Sequence, residues 1–149
     1  MKDLKKIFFS IILSLSFLSC YSNENWETIV ENREVKIESK NFNCDYTNAY
    51  DQEFIFLRIT NLTKQDAFIS YDLKLWYDDK CINCESEETE FRKTFKLKPY
   101  QKIESDCHKK SKQSKIFVKF SMPLEKMPGV NKIVKLTKYE ITNLTVTYD

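Results

Sequence analysis

Between Ile69 and Tyr77 the chain alternates strictly. Ile69, Tyr71, Leu73, Leu75 and Tyr77 are interleaved with Ser70, Asp72, Lys74 and Trp76. A period of two places one set of side chains on a single face of an extended strand and cannot build a helical stripe. The same period recurs in Phe91, Phe95 and Leu97, in Ile103, Ser105 and Cys107, and in Ile116, Val118, Phe120 and Met122. Near the end Tyr139 and Ile141 share one parity and Leu144, Val146 and Tyr148 the other, so the buried face switches near Thr142–Asn143, as a β-bulge within one strand allows. Upstream, Val35–Ser39 is a modest strand, and Phe54–Ile59 is apolar on both faces until Arg58. Trp26, Ile29 and Val30 offer one more short strand.

No segment of useful length carries a helical period, apart from a turn around Pro123 to Asn131. The reading is all-β: an antiparallel sandwich of seven to nine short strands. Asn61–Asp66 is a polar turn, expected to join Phe54–Ile59 and Ile69–Tyr77 as a hairpin. Gly129 is the only glycine in the sequence, so the tight turns fall to Asn, Asp and Lys.

The first twenty residues have a separate logic. Lys2, Lys5 and Lys6 precede an apolar run from Ile7 to Leu18 that ends at Ser19-Cys20. That run is shorter than the ~20 residues needed to cross a hydrocarbon core, and it reads as a secretory signal. The expected division is a signal peptide over 1–19, a tether over 20–33 and a sandwich domain over 34–149. The chain has 24 basic and 22 acidic side chains. Removing Lys2, Asp3, Lys5 and Lys6 leaves 21 of each sign, a neutral balance that provides no global field toward nucleic acid.

Four cysteines remain after Cys20: Cys44, Cys81, Cys84 and Cys107. An even number in an exported domain argues for two disulfides. A Cys81–Cys84 bond would close a very small ring, so the expected pairing joins Cys44 to one of these two and Cys107 to the other. The competing zinc reading takes Cys81 and Cys84 with Cys107-His108 as ligands. It is set aside because exported thiols oxidise before they find zinc. Alternating strand directions bring all four cysteines to one end, with the acidic loop Glu85–Glu90 and the basic loop His108–Lys115. The tether is expected at the opposite end, so that the cysteine end points away from the membrane and carries the partner contacts.

Catalytic chemistry has little to stand on. The one histidine, His108, lies in the basic run Cys107-His108-Lys109-Lys110-Ser111-Lys112. One glycine cannot make a phosphate-cradling loop, and no nucleophile elbow is present. Asp78, Asp79, Glu85, Glu87, Glu88 and Glu90 match no calcium-loop spacing and read as solvated. Phe54, Phe56, Tyr71, Phe95 and Phe120 read as core rather than as a sugar platform. No catalytic residue, cofactor or metal is therefore assigned. The alternative is a small envelope hydrolase using carboxylates that no motif marks.

Ser16-Phe17-Leu18-Ser19-Cys20 resembles the lipobox of bacterial lipoproteins, in which a small residue precedes an acylated, newly N-terminal cysteine. The run Ile59-Thr60-Asn61-Leu62-Thr63, Tyr71 to Asp78, Cys81, Leu97-Lys98-Pro99-Tyr100 and Tyr139 to Leu144 resemble the immunoglobulin-like domains of small bacterial envelope lipoproteins. The resemblance implies an immunoglobulin-like sandwich held at the cell envelope, on its periplasmic or surface face, by a lipid on Cys20. The expected role is non-catalytic binding or assembly, with the membrane as one partner and an envelope protein or glycan as another.

Overall fold

The computed structural model describes residues 26–46, 50–85, 91–108 and 114–148. Among the described residues nine strands form two antiparallel sheets packed face to face, an all-β sandwich. The first sheet holds β1 (Glu27–Glu31), β2 (Val35–Cys44) and β3 (Gln52–Asn61). On the far edge of β3 lie β7 (Lys102–Glu104) and β8 (Lys115–Phe120). The second sheet is built on β4 (Ala67–Tyr77). It pairs along one edge with β9 (Leu136–Tyr148), and along the other with β5 (Lys80–Cys81) and β6 (Arg92–Leu97). Among the described residues no helix is long and apolar enough to cross a membrane.

The period-two positions meet between the sheets. Val35 and Ile37 of β2, Ile55, Leu57 and Ile59 of β3, and Ile116 and Val118 of β8 face Ile69, Tyr71, Leu73 and Leu75 of β4. Phe95 and Leu97 of β6 and Leu136 of β9 complete this core. The β9 ladder shifts register between its pairs with Ser70 and Asp72, and Asn143 takes a left-handed backbone with φ 51°. The bulge expected near Thr142–Asn143 is therefore present, and 136–148 is one strand. Asp78 and Asp79, with φ of 45° and 65°, make the two-residue turn between β4 and β5. Acidic residues here supply the positive φ that glycine usually provides in such hairpins.

Tyr71 is fully buried, stacked on Phe95 at 6.0 Å, and its hydroxyl has no hydrogen-bond partner among the described residues. Burial pushes that hydroxyl far above the usual tyrosine range, so it stays neutral. An unmade buried hydrogen bond costs the group's desolvation. Tyr71→Phe is accordingly expected to raise unfolding free energy by about 1 kcal/mol. A urea titration that shows the midpoint falling instead would rule this out.

Three expectations need correction. First, β3 and β4 do not form a hairpin; they belong to different sheets. Both edges of β3 are occupied, by β2 on one side and by β7 and β8 on the other. Asn61 also bends the chain away, its amide donating to the carbonyls of Gln65, Leu97 and Lys98 at 2.8, 3.3 and 3.0 Å. Second, residues 27–31, expected to belong to a tether over 20–33, form β1, with Glu27 opposite Ser39 and Glu31 opposite Lys36. The short strand offered by Trp26, Ile29 and Val30 is the one that forms. Because β1 folds back on β2, the chain enters from the side of Lys40 to Cys44. That is the cysteine end, not the opposite one. Third, the strand expected through Ile103, Ser105 and Cys107 stops at Glu104. Glu104 pairs with Arg58 and Lys115 with Phe56, and the described residues 105–108 make an excursion outside any strand. The Ser105 hydroxyl closes the neck of this excursion by donating to the Ser114 carbonyl.

Candidate functional site

The strand β3 is apolar on both faces, and its second face is what makes the site. Ile55, Leu57 and Ile59 point into the sandwich, whereas Phe54 and Phe56 point away from it. Outward-facing phenylalanines need a cover of their own, since exposing them forfeits burial on the order of 2 kcal/mol each. Cys107, in the excursion after β7, supplies part of that cover. Cys44, Phe54 and Phe56 form a second cluster, against which Trp26, Tyr46, Cys107 and Phe117 pack. The Cys44–Cys107 disulfide, with its Cα atoms 5.6 Å apart, pins the excursion onto this outer face. The Tyr46 hydroxyl donates to the Cys107 carbonyl at 3.0 Å. Burial first, and the Asp106 carboxylate second, raise the pKa of that hydroxyl.

A cleft of about 250 Å³ opens between this cover, the first sheet and Trp26. Phe56 and Phe42 line it, their rings stacked at 5.0 Å and 13°. Phe42 remains 42 % exposed. One wall is Arg58, whose guanidinium lies 4.0 Å from the centre of the Trp26 ring. Two of its nitrogens reach Glu104 Oε2 at 2.9 Å, and Glu38 lies 3.9 Å away. The Arg58 side chain is only 11 % exposed, so these partners hold a largely desolvated charge in place. Lys40 Nζ lies 5.9 Å from the centre of the Trp26 ring, and Asp106 also lines the cleft, its carboxylate accepting the His108 backbone N–H at 2.8 Å. The cleft thus offers aromatic surface between fixed charges of both signs.

The cysteines pair otherwise than expected: Cys44 with Cys107, and Cys81 with Cys84. The reason is facial. Cys81 lies opposite Trp76 in the second sheet, and directly opposed residues share a face, so Cys81 stands on that sheet's outer side. Cys44 stands on the outer side of the first sheet. Packed sheets are about 10 Å apart, beyond the roughly 7 Å limit between Cα atoms for a disulfide. Cys81 and Cys84 share a turn instead, held by the buried Asn83. Its side chain accepts the Leu75 N–H at 2.9 Å and donates to the Leu73 carbonyl at 2.6 Å. The zinc reading would need these sulfurs as ligands, but they are bonded to one another. Among the described residues no group of three or more His, Cys, Asp and Glu side chains is placed to hold a metal ion.

His108 is exposed and Glu85 lies on the surface. Asp78 pairs with Lys132 at 2.5 Å, and hydrogen bonds from Lys132 and the Lys135 backbone lower its pKa. Cys20, Glu87, Glu88, Glu90, Lys109, Lys110 and Lys112 lie outside the described residues. Tyr71 and Phe95 are core as expected; Phe54 and Phe56 are buried, but in the outer cluster. Phe120 is half-buried against Phe117 and Tyr50. The cleft residues Trp26, Phe42 and Arg58 went unrecognised in the sequence. One signal was there: a strand apolar on both faces needs something to cover its second face.

Comparison of the chain with protein-family models, with curated proteins and with solved structures found no match.

Proposed function

We propose that this protein is a lipid-anchored component of the bacterial cell envelope that acts as a non-catalytic binding module, with the Trp26–Phe42–Arg58 cleft as its recognition site. The observation that carries the binding role is the second, outward aromatic cluster. A fold of this size has one core to bury, yet here a disulfide and the residues beside Cys107 line an aromatic cleft on the outside of a sheet. Fixed ion pairs and stacked rings suit recognition, because little side-chain freedom is lost when a ligand binds. The anchor rests on the run ending at Ser19-Cys20. Each buried methylene contributes about 0.8 kcal/mol, and two or more chains hold where one does not.

Metabolic labelling with palmitate tests the anchor. Wild type is expected to take up label and to sediment with membranes. Cys20→Ala is expected to lose both properties. Equal label in the two, or a wholly soluble wild type, would remove the anchor from the reading.

A further inference from the structure

We propose that the outer face of the first sheet lies flat on the membrane surface, so that the partner of the cleft is the phospholipid headgroup layer. The inference rests on the lipid anchor at Cys20 and names the partner of the same site.

The geometry comes from the short separation between Cys20 and Trp26. The Trp26 side chain packs in the outer cluster of the first sheet beside Phe56 and Arg58. Only six residue steps separate it from Cys20. At the full extension of a chain this is about 20 Å, and any bend shortens it. An acyl group on Cys20 therefore keeps Trp26 within about 20 Å of the hydrocarbon boundary. The register of β1 and β2 pairs Glu27 with Ser39, and Trp26 just before it shares its cleft with Lys40 and Phe42, which belong to this face. What the face presents suits a headgroup layer. Phe42 and Trp26 are aromatic rings at an apolar–polar boundary, where such rings are favoured, and Lys40 stands beside them for phosphate. The outer face of the second sheet turns to the opposite side, carrying Trp76 with Lys138 at 4.5 Å from its ring.

The chain has two tryptophans, and they stand on opposite outer faces. Each can report its own side. Acylated full-length protein would be reconstituted into vesicles of phosphatidylethanolamine and phosphatidylglycerol, with part of the lipid spin-labelled at the headgroup. Flotation with the vesicles is measured first. In Trp76→Phe, the emission of Trp26 is expected to fall roughly twofold or more. In Trp26→Phe, Trp76 is expected to be almost unaffected, since the sheet spacing alone puts it about 10 Å farther away. Phe42→Asp, at an exposed position outside the main core, combined with Trp76→Phe, is expected to relieve the quenching of Trp26. Equal quenching of both tryptophans would mean end-on placement, and no quenching of either in floating protein would mean a tethered domain that does not dock. Stronger quenching of Trp76 would mean that the other face docks. Each of these overturns the proposal. Failure of the acylated protein to float would instead overturn the anchor itself.

Discussion

Replacing Cys44 and Cys107 together with alanine is expected to lower unfolding free energy by about 4 kcal/mol. This is the loop-closure term for a bond spanning 63 residues. Replacing Cys81 and Cys84 together is expected to cost about 2 kcal/mol, because their bond spans three residues and constrains the unfolded chain far less. The first pair also holds the excursion against Phe54 and Phe56, so its loss exposes an aromatic face that the second pair does not touch. Stability of a domain this size is on the order of 5–15 kcal/mol, so the first double variant is expected to be far the more fragile. Urea midpoints of the two variants under non-reducing conditions decide it. If they shift equally, or the Cys81/Cys84 variant shifts more, the assigned roles are wrong.

Asn61→Ala is expected to destabilise by about 3 kcal/mol or more, a large effect for a residue that reads as part of a polar turn. Asn61 is fully buried. Its amide donates to three carbonyls, and its oxygen accepts the Thr63 N–H at 2.9 Å and the Thr63 hydroxyl at 2.8 Å. Truncation leaves several of these groups buried and unpaired, and this is where the energy goes. Asn61→Asp separates shape from chemistry. A carboxylate facing three carbonyls is disfavoured, so its folded pKa rises above the unfolded value. The sign follows: stability relative to the unfolded chain is greatest at low pH, where the acid is protonated and can donate, and is lost as pH rises through the folded pKa. Equilibrium unfolding of this variant between acid and neutral pH, compared with wild type, provides the check. A variant whose deficit does not grow with pH would show that the three carbonyls are not what Asn61 serves.

Much of the architecture is legible along the chain because each strand's burial is a local property. Ile69 to Tyr77 names its inward residues by alternation alone, and the parity switch near Thr142–Asn143 announces the bulge that the Asn143 backbone makes. Scarcity of glycine shifts tight turns to Asn, Asp and Lys, and Asp78-Asp79 makes one of them, at a position the sequence did not single out. Pairing between strands is different, since it depends on which edges are free. The Asn61–Asp66 segment has the composition of a hairpin turn. It serves as a crossing between sheets because β2, β7 and β8 have already filled both edges of β3.

The sequence by itself determined the all-β class, the inward face of most strands and the even set of four cysteines beyond Cys20. Those follow from a period of two and from composition, neither of which needs to know what lies across the sheet. Only the tertiary structure decided which cysteines meet, where the chain enters, and that Trp26, Phe42 and Arg58 share a cleft. Counting strand directions places Cys44, Cys81, Cys84 and Cys107 at one end, but direction carries no information about side. Two sheets about 10 Å apart put Cys44 and Cys81 on opposite outer faces, and a bond that needs Cα atoms within roughly 7 Å cannot cross them. The cleft was hidden for the same reason. Arg58 and Trp26 lie 32 residues apart in the chain, and only the pairing of β1 with β2 and of β2 with β3 brings them within 4.0 Å.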